Sequence, residues 1–118
     1  MALLDRPPVW ANPHDAHDWV YLAFGKLAAA HIREHPETIP IAREKIVRWT
    51  SRGTFTHGMI ASGQEWIEII DKRSPAEIAE LLESETEEAK RLRSSMPFVR
   101  EPFFTQQQSL PILERAYS

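Results

Sequence analysis

Apolar positions recur at helical spacing nearly from end to end of the chain, and alternating β-branched runs bounded by hairpin dipeptides are missing. Asn12-Pro13 supplies a start signal, a capping amide followed by proline at the first helical position. From there the pattern predicts a helix to about Glu34. Val20, Phe24, Leu27 and His31 share one stripe, and Ala28, Ala29 and Ala30 permit close neighbours. His35-Pro36 closes it, because the residue before a proline is pushed out of the helical region. A second helix is expected from about Thr38 to Thr50, its start fixed by Pro40 in the first turn. Ile39, Ala42, Ile46 and Trp49 form its inner stripe, while Arg43, Glu44, Lys45 and Arg48 face away.

Ser51-Arg52-Gly53-Thr54 separates this from a third helix over about His57 to Asp71. Ile60, Gly63, Ile67 and Ile70 lie on one of its faces with Trp66 beside them. Gly63 costs about 1 kcal/mol of helix propensity against alanine and marks a point where another backbone comes close. Ser74-Pro75-Ala76-Glu77 is a capping box with proline at the first helical position, opening a short helix that buries Ile78, Leu81 and Leu82. Ser84 and Glu87 repeat the pattern before a fifth helix, about Glu85 to Ser94, with Ala89 and Leu92 inward. From Ser95 to Phe104, two prolines and three phenylalanines make a segment that is neither a regular helix nor an idle loop. Thr105 and Gln108 then offer a cap for a last helix carrying Leu110, Leu113 and Tyr117. The expected fold class is all-α: one small domain of five or six helices over residues 13–118, with the irregular Pro/Phe-rich segment before its last helix. A Pro-rich extended arm precedes it over residues 1–12.

At 118 residues, 42% hydrophobic and 26% charged, the chain has the makings of a single globular domain rather than a disordered one. A net charge of -3 disfavours direct nucleic-acid binding, which rests on a basic surface. Having no cysteine removes disulfides, thiolate chemistry and cysteine zinc sites together. No apolar run reaches the roughly 20 residues of a membrane span, and the first residues carry neither a basic leader nor a long apolar stretch. The expectation is a cytoplasmic protein without membrane contact.

Candidate chemistry is sparse. His31-Ile32-Arg33-Glu34-His35 fits the His-x-x-Glu-His pattern of inverted zinc peptidases, and two histidines four apart on a helix can share a metal. Pro36 follows directly, however, and the third ligand would come from a larger domain, so a metal-dependent hydrolase at His31 and His35 is the least favoured alternative. His14-Asp15 and His17-Asp18 resemble fragments of a phosphohydrolase motif, but acidic residues there also suit a first helical turn. The run Glu77, Glu80, Glu83, Glu85, Glu87 and Glu88 falls on solvated faces, with Glu87 and Arg91 spaced to pair. No catalytic residue, cofactor or metal is assigned, and the chain is read as a non-enzyme. Lys90, Arg91, Arg93 and Arg100 make a basic cluster beside Phe98, Phe103 and Phe104, a composition typical of protein interfaces. Trp49 and Trp66 are assigned to the core. Trp10, after Pro7-Pro8-Val9, has the composition of a docking arm that either meets a partner or folds back on its own domain.

Three stretches resemble a bacterial family of about a hundred residues. They are Ala28-Ala29-Ala30-His31-Ile32-Arg33-Glu34-His35-Pro36-Glu37, Ile41 to Trp49, and Glu65-Trp66-Ile67-Glu68-Ile69-Ile70. The most specific likeness is Ser84 to Phe98, an acidic run followed by Arg91-Leu92-Arg93, Ser94-Ser95, Met96 and Pro97-Phe98. The family consists of small helical proteins encoded beside toxin genes, often nucleotidyltransferase-like, and commonly called antitoxins. The likeness covers roughly residues 20–118, carries no catalytic residues, and departs from the pattern at Val99-Arg100-Glu101-Pro102. It implies an antitoxin that neutralises its cognate toxin by direct binding. Trp10, Arg91, Arg93, Phe98, Phe103 and Phe104 are the expected partner interface, and a self-associating structural protein, such as a homodimer, is the alternative.

Overall fold

The computed structural model describes residues 13–51, 53 and 56–117. Among them the fold is all-α, with six α-helices and one 3₁₀ turn. Helix α1 spans Pro13–Glu34 and runs into the 3₁₀ turn Pro36–Thr38, which leads to α2, Ile39–Ser51. Helices α3, His57–Lys72, and α4, Pro75–Glu83, follow, then the short α5, Glu87–Arg93, and α6, Gln106–Tyr117. The arm over residues 1–12, Trp10 included, lies outside the described residues.

Local chemistry accounts for the element starts. The Met59 N–H donates to Thr56 Oγ1 at 3.3 Å at the head of α3. At α4 the reciprocal box is complete: Glu77 N–H donates to Ser74 Oγ and Ser74 N–H to Glu77 Oε1, at 3.2 and 2.9 Å. The same exchange opens α6, between Thr105 and Gln108, at 3.2 and 2.8 Å. Pro111 lies in the interior of α6. The cap of α5 is Thr86, which accepts from Ala89 N–H at 3.1 Å, rather than Ser84. Ser84 instead ends α4, so α5 starts at Glu87, two residues later than its spacing suggests.

Helix α1 packs most extensively on α4, and α2 pairs with α3. The Pro/Phe segment joins these two layers. Phe104 stacks on Phe24 of α1 with centroids 4.7 Å apart, while Phe98 meets Trp66 of α3 edge-on at 5.5 Å and Phe103 at 5.2 Å. Trp66 is fully buried, and its indole N–H donates to the Leu92 carbonyl at 3.0 Å. Around this aromatic seam lie Val20, Ile32, Ile46, Ile78, Leu82 and Ile112, all buried, with Trp19 half-buried against it.

Several side chains sit elsewhere than their spacing predicts. Trp49 is 39% exposed although it continues the inner stripe of α2. The buried face of α3 is Gly63, Trp66 and Ile69, with Ile60, Ile67 and Ile70 half-covered at its flanks. In α4, Ala79 takes the buried place expected for Leu81. Lys45 is half-buried and donates to the Val99 carbonyl at 3.0 Å, so it does not face away.

Candidate functional site

The expected interface does not form a surface. Phe98, Phe103 and Phe104 are 0–3% exposed and make the aromatic seam itself. Arg93 is buried too: its guanidinium donates to the Leu82 carbonyl at 3.3 Å and to the Ser84 carbonyl, satisfying the end of α4. Burial pulls its pKa below the ordinary arginine value, against the pull of Asp18 and Glu85. Arg91 is exposed but engaged, donating to Glu65 through both terminal nitrogens at 3.0 and 2.8 Å and to Glu88 at 2.8 Å. Its hydrogen bonds to the two carboxylates push its pKa up. Glu87 pairs with Lys90 rather than with Arg91. Four of the six named residues are therefore core, one is paired, and Trp10 lies outside the described residues.

The histidines are also separated in environment. The His31 and His35 rings stand 5.1 Å apart, but His35 is exposed and its Nδ1 lies 3.2 Å from Glu37. His31 turns its edge against Phe103, and its buried Nε2 has no hydrogen-bond partner among the described residues. No cluster of three or more histidine, aspartate or glutamate side chains suited to a metal occurs among the described residues.

An open groove of about 1020 Å³ lies elsewhere, lined by the end of α2, the start of α3 and the segment from Ser94 to Arg100. The sequence pattern explains its floor. Met59 is at i in the stripe whose i+4 and i+7 positions are the buried Gly63 and Trp66, yet Met59 is 53% exposed. Trp49 is the matching overhang on α2. Two core stripes thus continue beyond the layer that covers them, and Tyr21 of α1 with Met96 and Val99 completes the apolar lining.

The charge at this groove has one sign. Lys45, Arg48 and Arg100 line it, and none of its lining residues is acidic among the described residues. None of the three pairs with a carboxylate among the described residues, whereas Arg33, Arg43 and Arg91 are each held bidentately by one. Burial, then the neighbouring Arg48 and Arg100, hold the Lys45 ammonium below the usual lysine value. Its nitrogen also lies 5.7 Å from the Phe103 ring centroid. An anionic group entering the groove would relieve this repulsion. Arg100 itself has φ 70°, a left-handed backbone that glycine adopts freely and arginine does not.

No protein-family model, curated protein or solved structure matches the chain. Sequence reasoning missed this groove because Lys45 and Arg48 read as a solvated helix face and Trp49 as core. The available signal was the stripe itself, which runs to the very end of α2 and begins at the very start of α3.

Proposed function

We propose that this chain is a non-catalytic protein-binding module, the cytoplasmic antitoxin of a bacterial two-gene toxin–antitoxin pair. It acts by seating the groove between α2 and α3 on its toxin. The observation that carries the reading is the pair of stripes ending in the exposed Trp49 and Met59, rimmed by Lys45, Arg48 and Arg100, none of which meets a carboxylate among the described residues. Exposed aromatic and apolar anchors beside arginines are the usual composition of interface hot spots, and an apolar patch of this kind on a small protein marks a partner. The toxin assignment rests on the sequence resemblance, and a cationic groove suits an acidic protruding element of the toxin. Binding there would block the toxin by occupancy, with no reaction of its own.

Tagged protein co-expressed with the product of the adjacent gene tests this. Copurification is expected, together with restored growth when the neighbour arrests it. The double variant Trp49→Ala, Arg48→Glu should lose both while keeping its helical circular dichroism. A neighbour that is harmless and does not copurify, beside a monodisperse dimer of this chain, would sink the antitoxin reading in favour of self-association.

A further inference from the structure

The groove continues beyond Arg100. A second depression of about 720 Å³ lies there, floored by Phe24 and Phe104 and walled by Leu110 and Leu113 of α6. Lys45, Val99 and Arg100 line both depressions, so the two meet along one cationic rim. Exposed apolar side chains mark the two ends: Met59, 53% exposed, and Leu110, 44% exposed. Among the described residues Glu101 is the one carboxylate lining the second depression, set against the Lys45 and Arg100 that both share.

We infer that this double groove receives an acidic amphipathic helix of the partner protein, its apolar face entering both depressions and its carboxylates meeting Lys45, Arg48 and Arg100. The inference rests on the reading of the chain as a protein-binding module. Apolar hollows joined by a charged rim ask for an occupant with both characters along one edge. That excludes a small anion, which leaves Met59 and Leu110 uncovered, and a purely apolar segment, which leaves three cations desolvated and unpaired. The walls are helices and a turn, and among the described residues no strand edge is free for main-chain pairing, so a helix laid in the groove is the fitting mode. Arg100 adds an independent argument. It occupies a left-handed backbone position where glycine would sit without strain, and its side chain lines both depressions. The backbone cost is offset by something only the side chain supplies.

The test titrates isotope-labelled full-length chain with a synthetic helical peptide bearing leucine at i, i+3, i+4 and i+7 and glutamate elsewhere. Parallel arms use the same peptide with lysine for glutamate, inorganic pyrophosphate, and a single-stranded RNA oligomer. Amide shifts at Lys45, Val99, Arg100 and Leu110 are expected with the glutamate peptide, weakening with salt, and not with its lysine counterpart. Arg100→Gly should weaken binding roughly tenfold while its thermal midpoint holds or rises, so loss of binding is not loss of fold. Arg48→Glu supplies a second variant without any backbone change. Equal binding of the two peptides, undiminished affinity in both variants, or preferential binding of pyrophosphate or RNA would overturn the proposal. So would the same shifts arising from protein concentration alone, which would make a second copy the occupant. Failure here beside a copurifying toxin leaves the antitoxin acting through another surface; peptide binding without copurification removes the toxin and keeps the groove.

Discussion

Arg93 and Phe98 carry the same lesson from opposite chemistries. Both sit in a stretch whose composition suggests contact with a partner, and both are buried. Arg93 is tolerated in the core because two carbonyls at the end of α4 accept its hydrogen bonds, an arrangement that joins residues nine and eleven apart in sequence. Arg93→Ala strips those carbonyls of their donor and opens a void, at a cost of about 3 kcal/mol. Phe98→Ala, in the aromatic seam, should cost about 3–5 kcal/mol. Urea denaturation of each variant is the check: both midpoints should fall well below wild type, while Arg91→Ala stays close to it. A normal midpoint in Arg93→Ala would show that the guanidinium contributes nothing to the fold. The burial of Arg93 was illegible in the sequence, since nothing in the order Arg91-Leu92-Arg93 distinguishes the paired surface arginine from the buried one. The two differ only in which side of a seven-residue helix meets α4.

At the scale of elements the sequence was far more legible. Start and stop signals placed α1 and α3 closely, and the capping boxes of α4 and α6 are those spelled by Ser74/Glu77 and Thr105/Gln108. Competing hydroxyls hid the start of α5: Ser84 and Thr86 are both competent caps, and only tertiary placement of Ala89 and Leu92 chooses between them. The glycines were harder still. A methyl group at Gly63 would meet side-chain methyls of α2, Ile46 Cγ2 at 2.9 Å and Thr50 Cγ2 at 3.3 Å. The backbone approach expected there occurs instead at Gly25, where α1 lies directly against the Leu82 carbonyl and Arg93 Cδ. Gly25→Ala therefore forces apart the helix pair with the most extensive contact, and should destabilise by about 1–3 kcal/mol despite alanine's better helix propensity. Gly63→Ala should cost less, because methyls can yield where a carbonyl cannot. Thermal or urea unfolding of the two variants side by side decides it, and a stabilised Gly25→Ala would refute the close packing of α1 on α4.

At the scale of the molecule, among the described residues, three bidentate ion pairs tie elements that are distant in sequence: Arg33 with Glu83, Arg43 with Asp71, and Arg91 with Glu65. In each, the guanidinium hydrogen bonds hold the carboxyl below its ordinary value. A carboxyl whose folded pKa lies below its unfolded one stabilises above the unfolded value, and that contribution disappears as pH falls through the folded one. The thermal midpoint is thus expected to drop below about pH 4.5, more steeply in low salt, and to drop less in Glu83→Gln. An identical acid profile for Glu83→Gln would remove the Arg33 pair from the account. These pairs are exposed, so they adjust the fold rather than make it. What was least visible in the sequence belongs to this scale as well: the groove draws on Tyr21, Lys45, Trp49, Met59 and Arg100, which no local window brings together.

Trp49 and Met59 extend stripes that are otherwise the interior of the molecule. A partner seated on them, as proposed, would add a layer to that interior, and its binding energy and the folding energy of the α2–α3 end would become one quantity. The stability of that helix pair would then rise by mass action with the concentration of free partner.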